Sequence, residues 1–262
     1  MTLSRLLLRT RLSGALLIVA LLAGWEILTA TKTLNYVSLP RFSHVFLTGV
    51  SFVADGQVLT VLGPSLERLA VGYGIAIVLG VTFGMLMGTF PAVFNLLEPI
   101  TEVLRPMPSA AMIPILILFL GLGDETKVAV IVFAATFPIL VNTYSGVRAV
   151  DPVQINTART LGLPTRAILW EVVLPAASPY VFTGMRISLG VAFVLVIVSE
   201  MLTGGGGLGY FILDTQRTYR VKETYVGIVT IGVLGYVFNM LFLIAQRQII
   251  GWHAESARSE PL

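Results

Sequence analysis

The groups able to do chemistry on this chain are few and scattered. Its 262 residues contain no cysteine and two histidines, His44 and His253, which lie in different loops. Disulfides, thiol catalysis and cysteine-ligated metals are therefore excluded, and a histidine metal site is not expected. No Ser/His/Asp set or carboxylate pair stands at catalytic spacing. Gly204, Gly206 and Gly209 spell G-x-G-x-x-G. No strand precedes them, however, and a dinucleotide-binding turn needs strand, turn and helix in that order. They read better as a flexible outer loop at the end of an apolar helix, letting the chain turn back around 210–213. A phosphate-binding loop needs glycine before lysine, whereas Lys32, Lys127 and Lys222 follow Thr31, Thr126 and Val221. The chain does not hydrolyse ATP by that mechanism.

Four ionisable residues, Glu26, Arg68, Arg186 and Glu200, lie near the ends of apolar runs or one to two turns inside them. Charges at membrane depth are costly and face the bundle interior or a water-filled path. Arg68 and Arg186 either help an anion pass or pair with Glu200 or Glu67 for structure. Pairing is the favoured reading.

The most distinctive polar stretch is 151–175, DPVQINTARTLGLPTRAILWEVVLP. Asp151 can cap a helix that starts at Pro152, where a missing N–H costs nothing. Gly162 can end that helix, after about ten residues, in a left-handed turn. Pro164 then permits a turn before a second helical piece over 165–173, and Leu174-Pro175 lead back into apolar sequence.

The elements that hold this stretch are set by composition. The chain is 56% hydrophobic and 12% charged, about half the charged fraction of a soluble domain. A polytopic, all-α membrane bundle follows. The net charge of +3 is too small and dispersed for nucleic-acid binding. About six runs have the roughly 20 apolar residues a span requires: 13–31, 66–89, 106–122, 127–147, 178–202 and 224–247. The third is broken by Pro99, Pro106, Pro108 and Pro114 into a short amphipathic piece and a shorter span. The first, preceded by Arg5, Arg9 and Arg11, imitates a signal peptide but is too long and lacks a cleavage site, so it reads as a retained helix. Gly80, Gly84 and Gly88 stack on one face of the second, with Gly72 and Gly74 earlier, which suits close packing within the bundle.

With the N-terminus inside, inner segments hold Arg5, Arg9, Arg11, Arg105, Arg148, Arg159, Arg166, Arg247 and Arg258. The outer ones hold Lys32, Arg41, Lys127, Arg217, Arg220 and Lys222. This bias places both termini and residues 151–175 in the cytoplasm. No connection leaves room for a soluble domain, so residues 1–262 form a single transmembrane domain with its loop at 151–175.

Read from Asn156, the loop runs Asn156-Thr157-Ala158, three residues, Gly162, nine residues, Val172, one residue, Leu174-Pro175. This resembles the cytoplasmic E-A-A-x3-G-x9-I-x-L-P loop of ABC importer permeases, a coupling helix that docks on the ATP-hydrolysing subunit. Asn156 stands where Glu is usual and Thr157 where the first Ala is, so one charged contact is absent. The segments Pro106–Pro114, Gly121-Leu122-Gly123-Asp124, Phe137-Pro138-Ile139 with Asn142-Thr143 and Gly146, Ser199-Glu200-Met201 and Gly207-Leu208-Gly209-Tyr210 extend the likeness to permeases of the nitrate, sulfonate, taurine and bicarbonate group. The resemblance implies an inner-membrane permease, paired as a homodimer. It also implies cytoplasmic ATPase subunits holding ATP and Mg, and an outer substrate-binding protein delivering a small, anionic solute. Asn156, Thr157, Ala158, Leu161, Gly162, Leu174 and Pro175 would form the ATPase-coupling surface, and no cofactor belongs to this chain. A secondary transporter working without an ATPase is the alternative, but it calls for ionisable or unwound sites at the midplane in two related halves, and none stand out. A membrane enzyme would need a polar catalytic cluster.

Overall fold

A computed structural model describes residues 11–31 and 38–250. Arg5, Arg9, Lys32, His253 and Arg258, used above, lie outside the described residues. Every regular element among those described is helical: α1 (Arg11–Ala30), α2 (Phe42–Ala54), α3 (Gln57–Thr89), α4 (Pro91–Leu104), α5 (Ile113–Leu120), α6 (Asp124–Arg148), α7 (Pro152–Thr160), α8 (Thr165–Thr203), α9 (Leu208–Arg217) and α10 (Val221–Ile249). The all-α bundle expected from composition is what forms.

α3, α6, α8 and α10 are each long and apolar enough to cross a membrane. A fifth crossing is made only if α4 and the segment Ser109–Leu120, which meet at 90°, count as one broken span. The stretch bends at Pro106 and Pro108 as expected, because prolines withhold the amide hydrogens that would continue a helix, whereas Pro99 lies inside α4 and Pro114 in the first turn of α5. The expected first span coincides with α1, but its apolar described stretch, Leu16–Ala30, is shorter than a span. α2 was not anticipated, since 13 residues are too few to register as a crossing.

The chain divides into two compact units, residues 1–61 with 211–230, and 62–210 with 231–262. In the first, Val45, Phe52 and Val226 form a small core with Trp25, Phe211 and Tyr225 packed against it. The Trp25 ring lies 5.6 Å from those of Phe42 and Tyr225, and its indole N–H donates to the Pro40 carbonyl at 3.0 Å. Glu26 accepts from the backbone N–H and hydroxyl of Ser43 at 3.0 and 2.9 Å. Its carboxylate therefore sits at the N-terminus of α2, where exposed amides and the helix dipole favour negative charge. Glu26 is a helix anchor.

In the second unit, glycines bring α3, α6 and α8 together. A methyl group on Gly84 would lie 2.6 Å from Thr143 Cβ, and one on Gly80 2.7 Å from Ile139 Cβ. α8 repeats the device against α6, where a methyl on Gly184 would meet Asn142 Cβ and the Pro138 carbonyl at 2.8 Å. Small residues permit this approach where lipid offers no hydrophobic drive to association. Gly74, by contrast, faces open space. The Arg148 guanidinium stacks 3.6 Å from the centre of the Phe94 ring, tying α4 to the end of α6. Replacing Gly84 with Leu should force α3 and α6 apart, at about 1–3 kcal/mol or more for overpacking. Folded yield in detergent should fall sharply for Gly84→Leu and less for Gly84→Ala; wild-type yield and transport for the leucine variant would show that this contact carries no packing load.

Candidate functional site

The loop at 151–175 is built by cap chemistry at both ends. Asp151 Oδ1 accepts from the Val153 amide at 2.8 Å, and Pro152 occupies the first position of α7. At the other end Gly162 has φ +80°. Its N–H donates to the Arg159 carbonyl at 2.9 Å, and the Leu163 N–H reaches back to Ala158 at 3.1 Å. These two bonds satisfy the last carbonyls of the helix in the way a left-handed terminal glycine allows.

α7 is anchored by Ala158, which is buried in a cluster with Val147, Val150, Ile168, Val173 and Ala177. Asn156, Thr157, Leu161 and Gly162 remain exposed. A groove of about 600 Å³ runs beside them, lined in part by Val153, Thr157, Leu161, Glu171 and Pro175. Thr157, Ala158, Leu161 and Pro175 thus meet at one surface, whereas Leu174 packs half-buried in the following helix. Val153, Leu161 and Trp170 are 66%, 74% and 60% exposed. Val153 lies on α7, Leu161 at its C-terminal cap and Trp170 on the helix that follows. Val153 and Trp170 were not picked out by the sequence motif, although both are apolar residues in polar surroundings.

Beyond Pro164 the chain forms α8, whose residues Ile168–Val173 take the wider π form before regular helix resumes at Leu174. Leu174-Pro175 therefore lie inside one helix, and Thr165–Thr203 runs for 39 residues.

A second cluster gathers at the far end of α8. Arg68 and Glu200 are 5% and 0% exposed, and Arg68 Nη1 donates to Glu200 Oε1 at 2.7 Å. The Arg68 Nε also donates to Asp124 Oδ1 at 2.9 Å, and Lys127 Nζ reaches the same oxygen at 3.1 Å. Ser65 donates to the Glu200 carboxylate and accepts from the Leu208 amide at 2.8 Å, while the Gly209 amide donates to Glu200 at 2.9 Å. Two positive and two negative groups sum to zero, so the cluster offers no net charge to a solute. Arg68 pairs with Glu200 and Asp124; Glu67 takes no part.

The loop at 204–207 is not the free tether expected. All four glycines have positive φ, from +72° to +101°, which turns the carbonyls of Gly205 and Gly206 onto Arg68 at 3.3 and 3.1 Å. A side chain on Gly207 would collide with the Glu200 carboxylate. A buried guanidinium needs all its donors matched, and a run of left-handed glycines supplies acceptors without bulk.

Arg186 stands apart from this cluster. Its Nε donates to Asn239 Oδ1 at 3.1 Å, so it pairs with neither Glu200 nor Glu67.

Residues 76–250 match the family described as the binding-protein-dependent transport system inner membrane component. A probable ABC transporter permease of Brucella melitensis is 35% identical over 231 residues, covering 88% of this chain and 93% of that protein. The nitrate import permease NrtB of a Synechocystis species is 31% identical over 244 residues, covering 90% and 88%. The taurine transport system permease TauC of Escherichia coli is 29% identical over 240 residues, covering 90% and 87%. Among solved structures, an inward-facing form of the MetNI methionine ABC transporter superposes with a TM-score of 0.61 at 20% identity, covering 74% of this chain and 94% of the other.

Proposed function

The chain belongs to the binding-protein-dependent transport system inner membrane components, and from that premise we propose that it carries a small oxyanion inward as one half of a permease homodimer. It is the membrane-spanning permease component of an ABC importer, a subunit with a transport role. The proposed assembly adds two ATPase subunits that hold ATP and Mg, bound at 151–175, and a substrate-binding protein on the opposite face. Both termini and the coupling loop then lie on the cytoplasmic side of the inner membrane, as the distribution of arginines favours.

One observation supports the ATPase docking: exposed Val153 and Leu161 on and at the end of a capped helix anchored through buried Ala158, with exposed Trp170 on the π segment that follows. Asn156 and Thr157 lie on the exposed side of α7 and Gly162 at its exposed end, where a partner would meet them, while Leu174 and Pro175 lie within α8, Pro175 lining the groove. In this mechanism, closure of the ATPase pair pushes on α7, and α8 moves with it. The oxyanion assignment is supported by the nitrate and taurine permeases among the relatives.

The purified permease alone should hydrolyse no ATP, and turnover should appear only when the ATPase subunit and the binding protein are added in proteoliposomes. Radiolabelled nitrate and taurine should be tried as solutes beside a neutral amino acid. ATP hydrolysis by the permease alone comparable to that of the complex would sink the division of labour. Uptake of the neutral solute only would sink the oxyanion assignment.

A further inference from the structure

Two aromatic pairs join α8 and α10 in the second unit. Phe182 and Phe242 approach to 6.1 Å between ring centres, and Phe193 and Phe238 to 5.2 Å. Between those pairs lie Arg186 and Asn239, beside a cavity of about 80 Å³ that Gly190 and Gly235 help to line. Both residues lie inside helices long and apolar enough to cross a membrane, Arg186 well within α8 and Asn239 well within α10.

Arg186 differs from Arg68 in every respect that bears on ligand binding. It is exposed within this chain, and among the described residues no carboxylate lies within ion-pair distance of it. Asn239 holds only its Nε, so the terminal Nη1 and Nη2 have no hydrogen-bond partner among the described residues. An orienting bond at the neck of a guanidinium, with both prongs open, is the arrangement that grips an oxyanion through two parallel hydrogen bonds. An unneutralised arginine within a membrane-spanning helix must face water or a partner, because facing hydrocarbon is costly. Gly190 leaves that space open, as a methyl group there would meet nothing within 4 Å.

We infer that Arg186, oriented by Asn239, lines the solute path and is the group that contacts the oxyanion in transit. This rests on the oxyanion reading given above. Arg68 is excluded from that role because its charge is already cancelled.

The absence of cysteine allows a direct test. Gly190→Cys is introduced into the complete complex with its ATPase and binding protein, in lipid nanodiscs. It is then labelled with anionic methanethiosulfonate ethylsulfonate or its cationic trimethylammonium analogue, each rate normalised to a free thiol in solution. The expected result is reaction with both reagents, with the anionic one favoured by about tenfold through the nearby charge. That preference should vanish with Arg186→Gln and persist with Arg186→Lys. Silence toward both reagents would mean that lipid, a lipid headgroup or a second copy of the chain covers the site, and would overturn the inference. Equal preference with and without Arg186 would overturn it too. Lack of nitrate and taurine uptake by the unmodified complex would instead sink the oxyanion reading, so the two failures are separable.

Discussion

Gly162→Val should give a permease that inserts normally yet fails to couple. The residue has φ +80°, a region that costs L-residues about 1–2 kcal/mol and β-branched ones more. No steric obstacle surrounds it, since a methyl group there would meet nothing within 4 Å. The effect must therefore come through the backbone: relaxing φ breaks the bonds from Gly162 to Arg159 and from Leu163 to Ala158, and frays the exposed end of α7. Leu161, the most exposed apolar group of the surface, moves with it. Pull-down of the ATPase subunit and solute-stimulated ATP turnover measure the outcome. The valine variant should lose the subunit, or keep it with hydrolysis detached from transport, while Gly162→Ala is milder. Full coupling in Gly162→Val would leave 151–175 as a mere connection.

Glu200→Ala should cost more in stability than any other single change at the buried cluster. It removes a carboxylate that accepts from Arg68, Ser65 and the Gly209 amide and leaves Arg68 short of a counter-charge. Breaking one partner of a buried pair typically costs about 3–5 kcal/mol, whereas replacing both by apolar groups is often neutral. The melting temperature of the detergent-solubilised protein should drop steeply for Glu200→Ala and for Arg68→Met, and recover in Arg68→Met/Glu200→Met. Single variants that melt like the parent would show that the pair is not a structural tie. Equal loss in the double variant would mean that the glycine loop needs the charges themselves.

What could be read from the sequence follows the range of the interactions. Asp151, Pro152 and Gly162 act on backbone within five residues, so both ends of α7 were legible. The bend between α4 and α5 was legible for the same reason, because proline disrupts its own helix. The glycines at 80 and 84 revealed a packing face through spacing alone. Partners of charged groups were legible only in part: Glu200 stood among the candidate partners of Arg68, but Asp124 did not, and they lie 132 and 56 residues away. Nothing near position 204 announces that a glycine run will serve as acceptors for a distant guanidinium. Asn239 is likewise silent until α8 and α10 are laid side by side. The π segment has no residue signature either, since it differs from its neighbours only in which carbonyl each amide selects.

α8 spans about 58 Å at 1.5 Å per residue over its 39 residues, and its two ends belong to the two sites described here. Trp170 is exposed near one end, in the proposed docking surface, and Glu200 is in the buried cluster near the other. Under the proposed coupling, a stroke delivered at α7 needs no relay of side chains to cross the bilayer: it would travel along one helix whose π turn lies near the driven end. At the other end the glycine clasp on Arg68 and Glu200 ties that same helix to α3, so whatever moves α8 acts against a buried ion pair.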